Sequence, residues 1–301
     1  MKKIMRESLA VSKCIRWICR LILSYCKSVA MVKMCQTATT LLRCEKNKEE
    51  NSMPTGKRIL LLGAYSMEVV ECGGALCLNA KNGGVSHAAI AFAGGKMRED
   101  LEKSAALLET TVEFLNMDTG KITASYEEKI AMIKVIRKFR PDIIITQDPE
   151  HCVTDLDPGR RPFMTLVLEA IALAGRAYAL EETPGLEPAG GATIYFMTPE
   201  NPNCVVDIFE VWDEKCAAMD ALESQLTYFG KIKEDEIANK RMEKLAPKWR
   251  EVDTEIERGK MIKREMDKAF YTYPYATGHC AAVFAEPYRR DGAFILDELM
   301  K

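Results

Sequence analysis

From residue 57 onward, short apolar runs alternate with longer stretches in which apolar positions recur at helical spacing. Ile59-Leu60-Leu61-Leu62 followed by Gly63 is a continuous apolar run ended by glycine, the pattern of a strand buried on both faces. A helix is expected over residues 69–82, halted at Gly83-Gly84. A second strand, residues 85–92, and a helix, residues 98–109, with Leu101, Ala105 and Leu108 on one face come next. Residues 112–117 read as a third strand and 126–139 as a helix that stops ahead of Pro141, because proline disfavours helical geometry at the residue before it. Residues 142–147 form the fourth predicted strand. A polar loop over 148–161 then leads to an apolar helix, 162–180, with Pro162 in its first turn.

Past residue 183 the pattern changes. Residues 183–191 are a Pro- and Gly-containing loop, 193–197 and 205–207 short strands, and 212–229 a helix. Residues 232–268 read as a charge-dense helical pair broken at Pro247. Residues 271–290 are aromatic and hold His279, and a short helix ends the chain. No internal repeat is visible. Strands alternating with helices imply parallel pairing through right-handed crossovers. The expectation is an α/β, Rossmann-like three-layer fold with a mostly parallel sheet, in a single domain over residues 53–301.

Charge separates the first 52 residues from that domain. Residues 1–43 carry nine Lys and Arg against one acid, Glu7, a net charge of +8, so the rest of the chain sums to -10 of the total -2. An acidic body gives no electrostatic reason to bind nucleic acid. In the leader Arg16, Arg20 and Lys27 interrupt every apolar run before it is long enough to span a bilayer or serve as a signal core. Residues 15–32 suit a basic amphipathic helix associating weakly with an anionic membrane. The preferred reading is an upstream extension ahead of a start at Met53, and a cytoplasmic protein. Five of the 11 cysteines (Cys14, Cys19, Cys26, Cys35, Cys44) fall in the leader, and no C-x-x-C pair occurs. The others read as small reduced core residues, neither a zinc ribbon nor a disulfide framework.

In an open parallel sheet, ligands bind beyond the carboxyl ends of the strands. Two loops there are dense in polar groups, residues 63–74 and 147–161. The first resembles the A-H-P-D-D-E…G-G loop of the PIG-L/LmbE deacetylases, with Glu68, Gly73 and Gly74 matching in place. Arg140-Pro141-Asp142 and the strand behind it also match, as do Asp155 and Pro158 of the family's D-x-H-P-D-H segment. Phe114-Leu115-Asn116-Met117-Asp118-Thr119-Gly120, Val206-Asp207-Ile208, Lys215 with Ala218, Ser224-Gln225 and Ala285-Glu286-Pro287-Tyr288-Arg289 carry the likeness through most of residues 57–290.

That resemblance implies zinc-dependent removal of acetyl groups from N-acetylglucosamine conjugates. The residues that would do it are changed. Ala64 and Arg160 stand where the family has zinc-binding histidines, Met67 where it has a zinc-binding Asp, and Ser66 where it has the general base. Asp157 and Gly159 replace a His and the Asp that orients it. Alanine offers no lone pair, thioether is a poor zinc ligand, and a guanidinium opposes a dication.

Two functions therefore stay open. One is a divergent amide hydrolase with an altered metal site, in which Glu68, Asp155 and Asp157 are the catalytic candidates. With His151 they form a rewired, oxygen-rich set that suits Mg²⁺ or Mn²⁺ better than zinc. The other is a non-catalytic protein that keeps a sugar-sized site. Tyr65, Ser66, Arg98, Arg160 and His279 are the candidates for touching a sugar-type ligand, although Arg98 precedes Glu102 by four residues where the family spacing is three. The plainer roles for the acids are helix capping and, for Asp157, a salt bridge to Arg160 or Arg161. His87 reads as structural. Gly94-Gly95-Lys96 lacks phosphate-loop spacing, and Ser66 lacks the nucleophile-elbow glycines.

Overall fold

The computed structural model describes residues 56–231, 236–272 and 283–294, all within a unit running from Pro54 to Lys301. The leader, His279, Cys280 and the terminal helix lie outside the described residues.

Strands β1 (Arg58–Gly63), β2 (Val85–Ile90), β3 (Thr110–Phe114), β4 (Ile143–Gln147), β5 (Thr193–Met197), β6 (Cys204–Asp207) and β7 (Ala285–Arg290) form one sheet in the order β3-β2-β1-β4-β5-β7-β6. The first five are parallel, with Leu61 opposite Ala88 on one side and Ile145 on the other. β7 runs antiparallel between β5 and β6. The expected mostly parallel α/β sheet is what the chain forms. Alternation along β1 divides the interior. Ile59 and Leu61 point into one core with Val69, Leu76, Ile90 and Leu101, and Leu60 and Leu62 into a second with Ile133, Ile144, Phe163 and Val167. Both faces of β1 are buried, which is why its sequence is apolar throughout.

Several elements differ from the sequence expectation, each for an identifiable reason. The helix expected over 69–82 is two helices, α1 (Met67–Glu71) and α2 (Gly73–Lys81), broken at Cys72. The Glu286 carboxylate accepts the Gly74 and Ala75 backbone N–H groups at 2.7 and 2.9 Å, satisfying donors that a helix N-terminus leaves open. A Cβ on Gly74 would stand 2.4 Å from Ile208 Cγ2 and 2.7 Å from Glu286 Oε1, so only glycine lets the new helix dock. α3 (Lys96–Leu107) starts two residues before the expected helix, and β3 begins at Thr110, pairing with Ser86 of β2.

α4 (Tyr126–Phe139) lies where expected, opened by a Ser125–Glu128 capping box and closed by Arg140 at φ 53°. The loop expected over 148–161 contains a helix, α5 (Pro149–Thr154), N-capped by Asp148 through the Glu150 N–H at 3.1 Å with proline in the first turn. α6 spans Arg160–Ala174, starting two residues earlier than Pro162. The helix expected over 212–229 is split into α7 (Trp212–Asp220) and α8 (Glu223–Gly230). The charge-dense pair is α9 (Glu236–Leu245) and α10 (Glu255–Tyr271), with a 3₁₀ turn, Trp249–Glu251, just after Pro247. α8 and α10 approach closely, since a Cβ on Gly259 would lie 2.0 Å from the Leu226 carbonyl oxygen.

Among the described residues no helix is long and apolar enough to cross a membrane. The described cysteines are free thiols; Cys72, Cys77, Cys152 and Cys216 are buried. Burial pushes the Cys152 thiol up to about 12, and the nearby Arg160 charge offsets only part of that.

Candidate functional site

The chain builds β1, β2 and β3 outward in one direction and then returns to place β4 on the other side of β1. The switch point therefore falls between β1 and β4, and the ends of these two strands carry the two polar loops.

Glu68 sits in the first turn of α1 and is 1% exposed. Its Oε2 accepts the Ala64 N–H at 2.7 Å. Its Oε1 accepts from the Tyr65 N–H at 3.4 Å, from Gln147 Nε2, and from Arg160 Nη1 at 3.3 Å. Burial pushes its carboxyl up to about 7, against the lowering effect of Arg160 and of these donors. Both carboxylate oxygens accept hydrogen bonds, so Glu68 pins the chain after β1 to the end of β4. Gln147 completes the link by accepting the Cys152 thiol at 3.2 Å.

The loop between α5 and α6 supplies the rest. Asp155 accepts the Asp157 N–H at 2.8 Å and lies 3.0 Å from Arg160 Nε. The Asp157 carboxylate takes the Gly159 N–H at 2.7 Å and, with both oxygens, the Tyr65 hydroxyl at 2.9 and 2.8 Å. The expected Asp157 salt bridge is thus corrected: Asp155 pairs with Arg160, and Asp157 holds Tyr65. The Tyr65 phenol is pushed up to about 12 by burial and by that carboxylate. The Arg160 guanidinium lies 5.2 Å from the centre of the Tyr65 ring.

Five of the sequence candidates, Tyr65, Glu68, Asp155, Asp157 and Arg160, thus meet at the switch point. Of the remaining described candidates, Ser66 and Arg98 have other partners, and His151 reaches the group only through Asp155. Ser66 is fully buried and accepts a 3.4 Å hydrogen bond from Gln225. Arg98 donates to the Ala93 carbonyl at 2.7 Å and to Asn116, over the Phe114 ring at the ends of β2 and β3. His151 is on α5, 2.9 Å from Glu200 and 3.6 Å from Asp155. His87 bonds Thr111 and Glu113 at 2.7 and 2.9 Å and stacks on Phe139, in keeping with a structural role.

Sequence reasoning missed Asp148. It is fully buried, caps α5, accepts the Glu200 N–H at 3.2 Å and pairs with Arg289 of β7. The Asp-Pro step opening α5 was the available signal.

The residues present do not fit zinc. Ala64 is buried and contributes only its backbone, and a guanidinium occupies the space between Glu68 and Asp155. Among the described residues, no group of three or more His, Cys, Asp or Glu is placed to hold a metal ion. The members of the rewired set are engaged elsewhere: Asp157 bonds Tyr65, Asp155 and Glu68 pair with Arg160, and His151 lies between Glu200 and Asp155.

The fold, a mostly parallel seven-stranded sheet flanked by helices, matches that of PIG-L/LmbE-type structural neighbours. The chain is similar to the 4-carboxy-2-hydroxymuconate hydratase GalB from Pseudomonas putida, with a TM-score of 0.58 and 18% identity over 80% of this chain and 99% of that one. It is equally similar to the N,N'-diacetylchitobiose deacetylase of Pyrococcus horikoshii, solved with its inhibitor, at TM-score 0.58 and 18% identity over 77% and 82% of the two chains. By sequence it is 23% identical over 209 residues to the 4-oxalmesaconate hydratase of Pseudomonas putida, covering 59% of this chain and 77% of that protein. No protein-family model matches.

Proposed function

We propose that this chain is a divergent PIG-L/LmbE-type deacetylase-like protein. It takes an amino-sugar-type ligand at the carboxyl ends of β1 and β4, with the deacetylase metal site altered or lost. The observation that carries this reading is the Tyr65–Asp157 pair. Tyr65 is a partly exposed aromatic group of the kind that packs beside a sugar ring, and the neighbouring Asp155 and Asp157 carboxylates would accept from the sugar's hydroxyl or amide groups. If amide hydrolysis persists, Asp155 and Asp157 are the acids with the better access to water, since both are partly exposed and Glu68 is buried.

The hydratase likeness favours a second reading, water addition to a carboxylated small molecule. The Arg160 charge, however, already faces Glu68, Glu71 and Asp155, which favours a neutral or amine-bearing ligand over a dianion.

Calorimetric titration with N-acetylglucosamine, glucosamine and oxaloacetate separates these readings, with released acetate followed in parallel. Binding of either sugar, weakened at least tenfold by Tyr65→Ala, is the expected outcome. Saturation by the dicarboxylate with no response to sugar would replace the first reading with the second.

A further inference from the structure

Arg160 occupies an electrostatically unfavourable place for a cation. It is the first residue of α6, where the helix dipole presents its positive end. Its side chain folds back across the loop, with Nη1 3.3 Å from Glu68 Oε1 and Nε 3.0 Å from Asp155 Oδ2. Glu68 belongs to the β1 loop and Asp155 to the β4 loop, so one guanidinium joins the two segments that the switch point separates. It also lies over the Tyr65 ring, whose hydroxyl reaches Asp157, so the two inter-loop ties are neighbours and together involve five side chains. Without the positive charge, Glu68 and Asp155 would lose their common counter-ion.

We propose that the Arg160 guanidinium stands in for the metal of this fold. It is a permanent cation, built into the chain, that cross-links the β1 and β4 loops through Glu68 and Asp155 and keeps divalent cations out. The inference deepens the altered-metal-site part of the functional reading, and it holds whether or not a sugar binds. A guanidinium supplies one charge and a fixed fork of donors in place of two charges and open coordination, so it can hold loops and orient an acceptor oxygen without lowering the pKa of a bound water.

The test measures metal content after dialysis against ZnCl₂ or MnCl₂, and melting temperature with and without each salt. Wild type is expected to retain no stoichiometric metal and to show no melting shift. Arg160→Ala should melt roughly 3–8 °C lower and gain part of that back in millimolar MnCl₂ or ZnCl₂ by mass action. Adding Asp155→Asn to Arg160→Ala should abolish the metal response. Arg160→Lys keeps the charge and should still exclude metal.

One tightly held zinc per wild-type chain would overturn the proposal, as would a folded Arg160→Ala that melts like wild type and ignores both metals. If Arg160→Ala does not fold, Arg160→Ala with Glu68→Gln removes the cation and one counter-charge together. Recovery of folding in that double variant supports the charge cross-link. Continued failure beside a metal-binding Arg160→Lys would defeat it. Loss of sugar binding with these metal results unchanged would count against the ligand assignment alone.

Discussion

Lys215 Nζ lies 2.7 Å from Glu286 Oε1, and both side chains are almost wholly buried beneath the α1–α2 break. The pair ties three distant segments. Lys215 also donates to the Val70 and Glu71 carbonyls, and Glu286 accepts from Gly74, Ala75 and the Tyr288 hydroxyl. Removing one partner leaves a buried charge uncompensated. Glu286→Gln and Lys215→Met are each expected to cost about 3–5 kcal/mol in urea unfolding. The double variant should cost clearly less than the sum, because the residues are coupled. Strict additivity would mean that the charges do not act as a pair.

The same contact shows where sequence reasoning stops. The helix over Tyr126–Phe139 was legible to the residue, its end marked locally by Pro141. The break at Cys72 was not, because the group that restarts the helix is Glu286, 212 positions from Gly74. Likewise, the loop residues Tyr65, Glu68, Asp155, Asp157 and Arg160 could be nominated from their place after predicted strands. Their partners could not: Asp157 was matched with nearby arginines, whereas its partner Tyr65 lies 92 positions away. Periodicity reports which residues are inside, and only the folded sheet reports which of them meet.

Glu68 gives the site a pH dependence of definite sign. Its carboxyl is raised from an ordinary 4.5 to about 7, mainly by burial. The folded state therefore binds a proton that the unfolded state has released between those values. The contribution of this residue to stability is complete below 4.5 and is lost as pH rises through 7. Glu68→Gln should remove that loss, so the melting temperature of wild type relative to the variant should fall between about pH 5 and pH 8. A carbon-13 titration placing the Glu68 midpoint near 4.5 would sink this account.

Gly74 should tolerate no side chain. The added methyl of Gly74→Ala meets Ile208 at 2.4 Å and the Glu286 carboxylate at 2.7 Å, so α2 must shift off its cap. Overpacking of this kind costs about 1–3 kcal/mol, and loss of the Glu286 contacts adds to it. Ala75→Gly, one residue on, leaves that contact surface open and should cost no more than about 1 kcal/mol. Similar losses in the two variants would show that the close approach does not matter.

Rebuilding the family's zinc set should cost stability before it gains metal. Ala64→His puts an imidazole where a fully buried alanine now packs, and Ser66→Asp adds a carboxylate at a second fully buried position. Gly159→Asp brings a Cβ to 3.1 Å from Phe92, 3.2 Å from the Asp157 carboxylate and 3.2 Å from the Tyr65 hydroxyl. Asp157→His, made with it, removes one of those neighbours. Arg160→His deletes the cation between Glu68 and Asp155, and Met67→Asp adds a further anion. Without metal, the six-fold variant therefore gathers carboxylates around an empty centre and should melt well below wild type. Zinc should then raise its melting temperature by more than it moves wild type, and dialysed protein should retain close to one zinc per chain. Outer partners orient metal ligands, so deacetylation of N-acetylglucosamine conjugates can lag behind metal binding. A folded six-fold variant that neither retains zinc nor is stabilised by it would show that positions 64, 67 and 160 do not converge on one point in space, and the correspondence with the family's zinc ligands would have to be withdrawn.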